Sequence, residues 1–264
     1  MRVKSELLLY RLSWTVDIML SPTWRNMNDS FESWAYRNGC LRQIQTLEAQ
    51  RFVESRKEPR TDKDRVYRLT ELGRRAALGG RDPESEWSRA WAGQWGLVMF
   101  DVPEAERHTR GLVRKTLRRL HFGCLQMSVW ISPDPLSQIA SELKQVQVEA
   151  SSLVLMEART CAGESPPDLV GAAWDFKRIN RAWETLERHL ALAPGKTSGK
   201  EALLKWSETE YDLWRTCMSL DPLLPKALHP GDYQGVRIWK LRQNVLAALG
   251  RLLVGTTRTS RKPA

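Results

Sequence analysis

The alternation of apolar and polar positions in the first eighty residues predicts three helices and a hairpin. Leu8, Leu12, Val16 and Met19 recur at helical spacing, which predicts a helix over residues 5–20 with one buried stripe. Ser21-Pro22 stops it, because the residue before proline avoids helical angles. Asp29 or Ser30 caps a second helix, through Tyr36, and Asn38-Gly39 makes a tight turn. A third helix follows from Cys40 to about Gln50. At about 100° per residue, Leu41, Ile44 and Leu47 fall within one arc of about 120° and face the core. Arg42, Thr46 and Ala49 fall opposite, flanked by Gln43 and Gln50 on one side and Gln45 on the other. Phe52 and Val53 then lead into a polar stretch from Arg56 to Arg65, and Val66, Tyr67 and Leu69 return, as two strands around a loop.

A different rhythm follows. Trp95 to Val102 is an apolar run ending in Asp101-Val102-Pro103, read as a buried strand and then a helix start with Asp101 as its cap. Val113, Leu117 and Leu120 give that helix its buried seam. Gly123 to Ser132 is strand-like, Ile139, Leu143 and Val146 mark another helix, and Ser152 to Met156 another strand. This order predicts a ferredoxin-like α/β sandwich with one strand split. Beyond it, Trp174, Ile179, Trp183, Leu186 and Leu190 predict one amphipathic helix, Leu203 to Met218 a second and Ile238 to Leu253 a third. Polar breaks at Gly79–Glu84 and Gly163–Asp168 divide the chain. The expected fold class is α+β: a winged helix-turn-helix over residues 1–80, a ferredoxin-like domain over 94–160 and a small helical domain over 168–255.

Composition narrows the function. The chain has 264 residues, 42% of them hydrophobic, enough for packed cores. Its formal net charge is +10, which favours nucleic acid, an anionic surface or an anionic ligand. No apolar run reaches membrane-spanning length, and the amino terminus lacks a cleavage site, so neither a membrane partner nor a signal peptide is expected. Cys40, Cys124, Cys161 and Cys217 are scattered away from the four histidines, which argues for a reduced, cytoplasmic setting and against a metal site. Pro194-Gly195-Lys196-Thr197 lacks the rest of a phosphate loop, since Leu190 stands where its first glycine belongs and a helix precedes it. No cofactor is expected.

The candidate chemistry is recognition. The outward face of the third helix, with Arg37, Asn38, Arg42, Gln43, Gln45, Thr46 and Gln50, offers a guanidinium, amides and a hydroxyl, the groups that read base edges. Arg56, Lys57, Arg60, Lys63 and Arg65 place cations along the hairpin loop, where a phosphate backbone would lie. Helix and wing together point to double-stranded DNA.

Several stretches carry a resemblance. Trp95 to Glu104, Arg110, Leu117, Leu120, Phe122-Gly123 and Ser128 to Pro133 resemble the central region of the PaaX family, bacterial transcriptional repressors named for phenylacetate catabolism. Tyr67 to Arg74 is similar to the end of that family's wing, and Arg42 sits where its recognition helix carries an arginine. Asp221 to Pro225, Leu228, Pro230, Asp232 and Gly235 resemble its closing motif. The first 36 residues match loosely, and the wing is more acidic than the family's. The resemblance implies a homodimeric repressor released from its operator by an acyl-CoA effector, an aryl-CoA thioester such as phenylacetyl-CoA.

Asp101 and Gln126 to Trp130 also resemble the small ferredoxin-fold subunit of CRISPR adaptation complexes. That likeness implies the alternative, a metal-dependent nuclease centred on Asp101. Such chemistry needs several oxygen ligands around a hard cation, and the sequence offers one. A regulator with no catalytic residues is therefore the expected function.

Overall fold

The computed structural model describes residues 9–10, 41–57, 65–103, 106–138, 153–160, 165–195, 198 and 200–258. The helices expected over 5–20, over 29–36 and around Ile139 lie outside these residues, except that Leu9 and Tyr10 are helical and buried. In chain order the described elements are α1 (Leu41–Ala49), β1 (Val53–Lys57), β2 (Arg65–Leu69), α2 (Glu71–Ala77), α3 (Pro83–Ser88), β3 (Trp95–Phe100), α4 (Arg107–Arg119), β4 (Gly123–Gln126), β5 (Val129–Ser132), β6 (Leu153–Ala158), α5 (Pro166–Ala173), α6 (Phe176–Leu190), α7 (Lys200–Leu220) and α8 (Gly235–Arg258). They fall into two compact units. One comprises residues 1–82, 184–215 and 236–264, the other residues 83–183 and 216–235.

In the first unit, Ile44 and Leu47 bury the inner side of α1, as the spacing predicts. The helix ends in a Schellman motif. Phe52 N–H donates to the Leu47 carbonyl and Arg51 N–H to Glu48, each at 2.9 Å, with Arg51 at φ 58°. Strands β1 and β2 pair antiparallel, Val53 opposite Leu69 and Lys57 opposite Arg65. Thr70 then caps α2, its hydroxyl accepting from Gly73 N–H at 3.0 Å and donating to the Arg51 carbonyl at 2.7 Å. Gly73 lies so close to the Phe52 carbonyl that a Cβ there would stand 1.9 Å from its oxygen.

Deeper in this unit lies a buried ion pair. Arg242 Nε, on α8, donates to Glu210 Oε1, on α7, at 2.6 Å, with the side chains 3% and 0% exposed. The Tyr10 hydroxyl donates to the second Glu210 oxygen. The guanidinium lies 4.0 Å from the Trp214 ring centre, so a π face supplements its single carboxylate. Burial pushes the Glu210 carboxyl up, and Arg242 opposes that shift.

The second unit is built on an antiparallel sheet of order β4-β5-β3-β6. This is the ferredoxin-like order expected. The split in the strand falls at Met127-Ser128, which turns β4 back along β5. Helix α4 covers one face, where Val113 and Leu117 pack with Val98, Phe100, Phe122 and Trp130. It too ends in a Schellman motif, with His121 at φ 60° and Phe122 N–H donating to the Leu117 carbonyl at 3.0 Å.

Several expectations are corrected. Glu106, not Asp101, is the N-cap of α4, and Asp101 is exposed. The two polar breaks open helices. Ser165 caps α5 by accepting from Asp168 N–H, and its Pro residues fill the first positions, where the missing N–H costs nothing. Pro83 likewise opens α3. Trp174 precedes α6 as the extended C-cap of α5, and its indole N–H donates to the His121 carbonyl at 3.1 Å.

The closing motif is structural. Buried Asp221 accepts from Trp183 Nε1 and the Tyr233 hydroxyl, both at 2.7 Å, and from Leu223 N–H at 2.8 Å. Leu223 can therefore hold φ 50° within the turn.

Candidate nucleic-acid interface

The spacing on α1 sets which side chains are available. With Ile44 and Leu47 buried, Arg42, Gln45, Thr46 and Gln50 are exposed. Gln43 is half-buried on the flank. Thr46 Oγ1 donates to the Arg42 carbonyl at 2.8 Å, which fixes the hydroxyl against its own helix and turns its lone pairs outward. The structure thus brings together four of the expected site residues on one short helix, with Gln50 directly after it. Arg37 and Asn38 lie outside the described residues.

The hairpin is tied to this helix. The Ser55 hydroxyl, on β1, donates to Glu48 Oε1. Thr70 bridges the end of β2 to the turn after α1 through the Arg51 carbonyl. Arg56, Lys57 and Arg65 occupy the last register positions before the loop, with Arg56 opposite Val66 and Lys57 opposite Arg65. Arg60 and Lys63, and the side chains of those three strand residues, lie outside the described residues.

Sequence reasoning missed one cation here. Arg51 is exposed immediately after α1, held at positive φ by the Schellman bonds. A basic residue following a helix end was the available signal; its left-handed backbone was not, because neither Gly nor Asn marks it.

The nuclease alternative gains no ligand set. Asp101 is exposed after β3, and among the described residues there is no group of three or more His, Cys, Asp or Glu that could hold a metal ion. Likewise, no described helix is long and apolar enough to cross a membrane.

Comparison with known proteins places the middle of the chain. No curated protein matches it. Among solved structures, the uncharacterized protein Rv0674 from Mycobacterium tuberculosis is similar, with 19% sequence identity, a TM-score of 0.55 and coverage of 94% of this chain and 96% of that one. At that identity the likeness is one of fold. Residues 88–170 match the family model described as the PaaX protein central Cas2-like domain. That span contains the four-stranded sheet and the stretch from Trp95 to Pro133, and over it the chain is similar to the central domain of the PaaX family.

Proposed function

We propose that this protein is a sequence-specific DNA-binding transcriptional regulator, a repressor, that reads its operator as a winged helix-turn-helix. Its amino-terminal helix α1 enters the major groove and the β1–β2 hairpin lies on the flanking phosphates. The observation that carries this reading is the exposure of Arg42, Gln45 and Thr46 on the side of α1 opposite buried Ile44 and Leu47, and of Gln50 directly after the helix. The PaaX-type central domain supports it. In this reading the protein acts in the cytoplasm as a homodimer on two half-sites, about one helical turn or a multiple apart. Exposed Val154 and Met156 on β6, 46% and 45% accessible, supply apolar surface for self-association. The effector is an aryl-CoA thioester, which releases DNA by favouring a dimer in which the two helices miss their grooves.

The test is selection of a preferred duplex from a random-core library by the full-length protein, followed by titration of variants. Arg42→Ala should cost about 1–3 kcal/mol of discrimination at the base pair that Arg42 reads, with the fold retained. Unchanged preference at every position would overturn the proposal.

A further inference from the structure

Helix α4 carries Arg107, Arg110, Arg114, Lys115, Arg118 and Arg119 and no acid, in a chain whose whole excess of positive charge is ten. Two of the six turn inward. Arg110 donates to the Val102 carbonyl at 2.5 Å and Arg114 Nε to the Met127 carbonyl at 3.2 Å. Arg107, Lys115, Arg118 and Arg119 are exposed and fall within an arc of about 120° at about 100° per residue, opposite buried Val113 and Leu117. The Arg118 guanidinium lies 5.6 Å from the Trp130 ring centre, which anchors it on the helix flank.

The helix macrodipole accounts for only the last turn of this stripe. A helix macrodipole favours cations in the last turn, which Arg118 and Arg119 satisfy. It disfavours one in the first turn, where Arg107 sits. Gly111 lies inside the same arc, in mid-helix, and a Cβ added there would meet nothing within 4 Å. Glycine is among the poorest helix formers, and no neighbour among the described residues requires it here. Its effect is to lower the surface between Arg107 and Lys115, so that a charged partner can approach the helix backbone.

We propose that this face of α4 is a second contact for duplex DNA, gripping phosphates without reading sequence. The proposal rests on the reading that DNA is the ligand, and it adds a site outside the helix and hairpin that would discriminate bases. Cations at positions 115 and 119 are about 6 Å apart along the axis, and those at 107 and 119 about 18 Å, a row suited to successive backbone phosphates. Duplex is favoured over single strands because α4 holds no Phe, Tyr or Trp on which unpaired bases would stack.

The experiment measures binding of the full-length protein to a selected duplex and to a random one across a salt series. Three variants are compared with the native chain: the neutral triple K115Q/R118Q/R119Q, the charge-retaining triple K115R/R118K/R119K, and Arg42→Ala. The neutral triple should flatten the slope of log affinity against log salt by about 2–3 on both duplexes, at about 0.9 per lost phosphate contact. The ratio between the duplexes should stay as in the native chain, and the charge-retaining triple should keep the native slope. Arg42→Ala should lower the ratio and change the slope by no more than about one. A native slope in a folded neutral triple overturns the proposal and leaves the α1 reading standing; a native ratio in Arg42→Ala with a flattened triple does the reverse. Should the neutral triple lose its fold, Gly111→Glu, whose side chain enters open space, must weaken both duplexes equally; unchanged affinity then overturns the proposal. Equal binding of single-stranded RNA, with the same dependence on the three cations, overturns the choice of duplex.

Discussion

His229 shows how much a single side chain can couple the second unit to pH. Its ring lies edge-on to Tyr233 at 4.6 Å, and Nε2 is 2.8 Å from the Leu224 carbonyl. Burial pulls its pKa below the ordinary 6.5, against the opposite pulls of the Leu224 carbonyl and Asp221. Between the lowered value and 6.5 the unfolded chain binds more protons than the folded one. Stability from this residue is therefore complete above that window and declines as pH falls through it. A series of thermal melts from about pH 7 downward should show a falling Tm, with His229→Gln flattening the decline; parallel curves would contradict this assignment. Residues of this kind differ in legibility. The buried Ile44 and Leu47 and the exposed Arg42, Gln45, Thr46 and Gln50 follow from helical spacing alone. The roles of Asp221 and Tyr233 do not, because their partners meet only once the turn between α7 and α8 has closed.

Between elements, the hairpin depends on one close approach. Helix α2 can lie against the turn after α1 only because residue 73 has no side chain, its missing Cβ falling 1.9 Å from the Phe52 carbonyl oxygen. Gly73→Ala must push α2 off the hairpin, and a loss of about 2–3 kcal/mol is expected in urea unfolding. An unchanged midpoint would show that α2 can shift without cost. The β1–β2 hairpin and the ferredoxin-like sheet were both legible, since strand length, turns and order leave local patterns. Helices α3 and α5 were not, because they are short and begin at prolines that read as breaks. The signal for α5 was present in Ser165 and Asp168, a cap and its third-position partner.

At the scale of the molecule, the unit that holds α1 is assembled from three separated stretches of chain, residues 1–82, 184–215 and 236–264. Tyr10, Glu210 and Arg242 meet inside it. No local pattern announces a partnership across 200 residues, so the sequence reading placed the carboxyl-terminal helices in a domain of their own. Removing one partner strands a buried charge, and Glu210→Ala should cost about 3–5 kcal/mol in equilibrium unfolding. A loss below about 1 kcal/mol would mean that water or another group reaches Arg242. The same arrangement sets an order on biogenesis. A ribosome must carry synthesis past Arg242 before Tyr10 can join both Glu210 and Arg242. At roughly 5–20 residues per second, the segment around Tyr10 waits on the order of ten seconds or more for them.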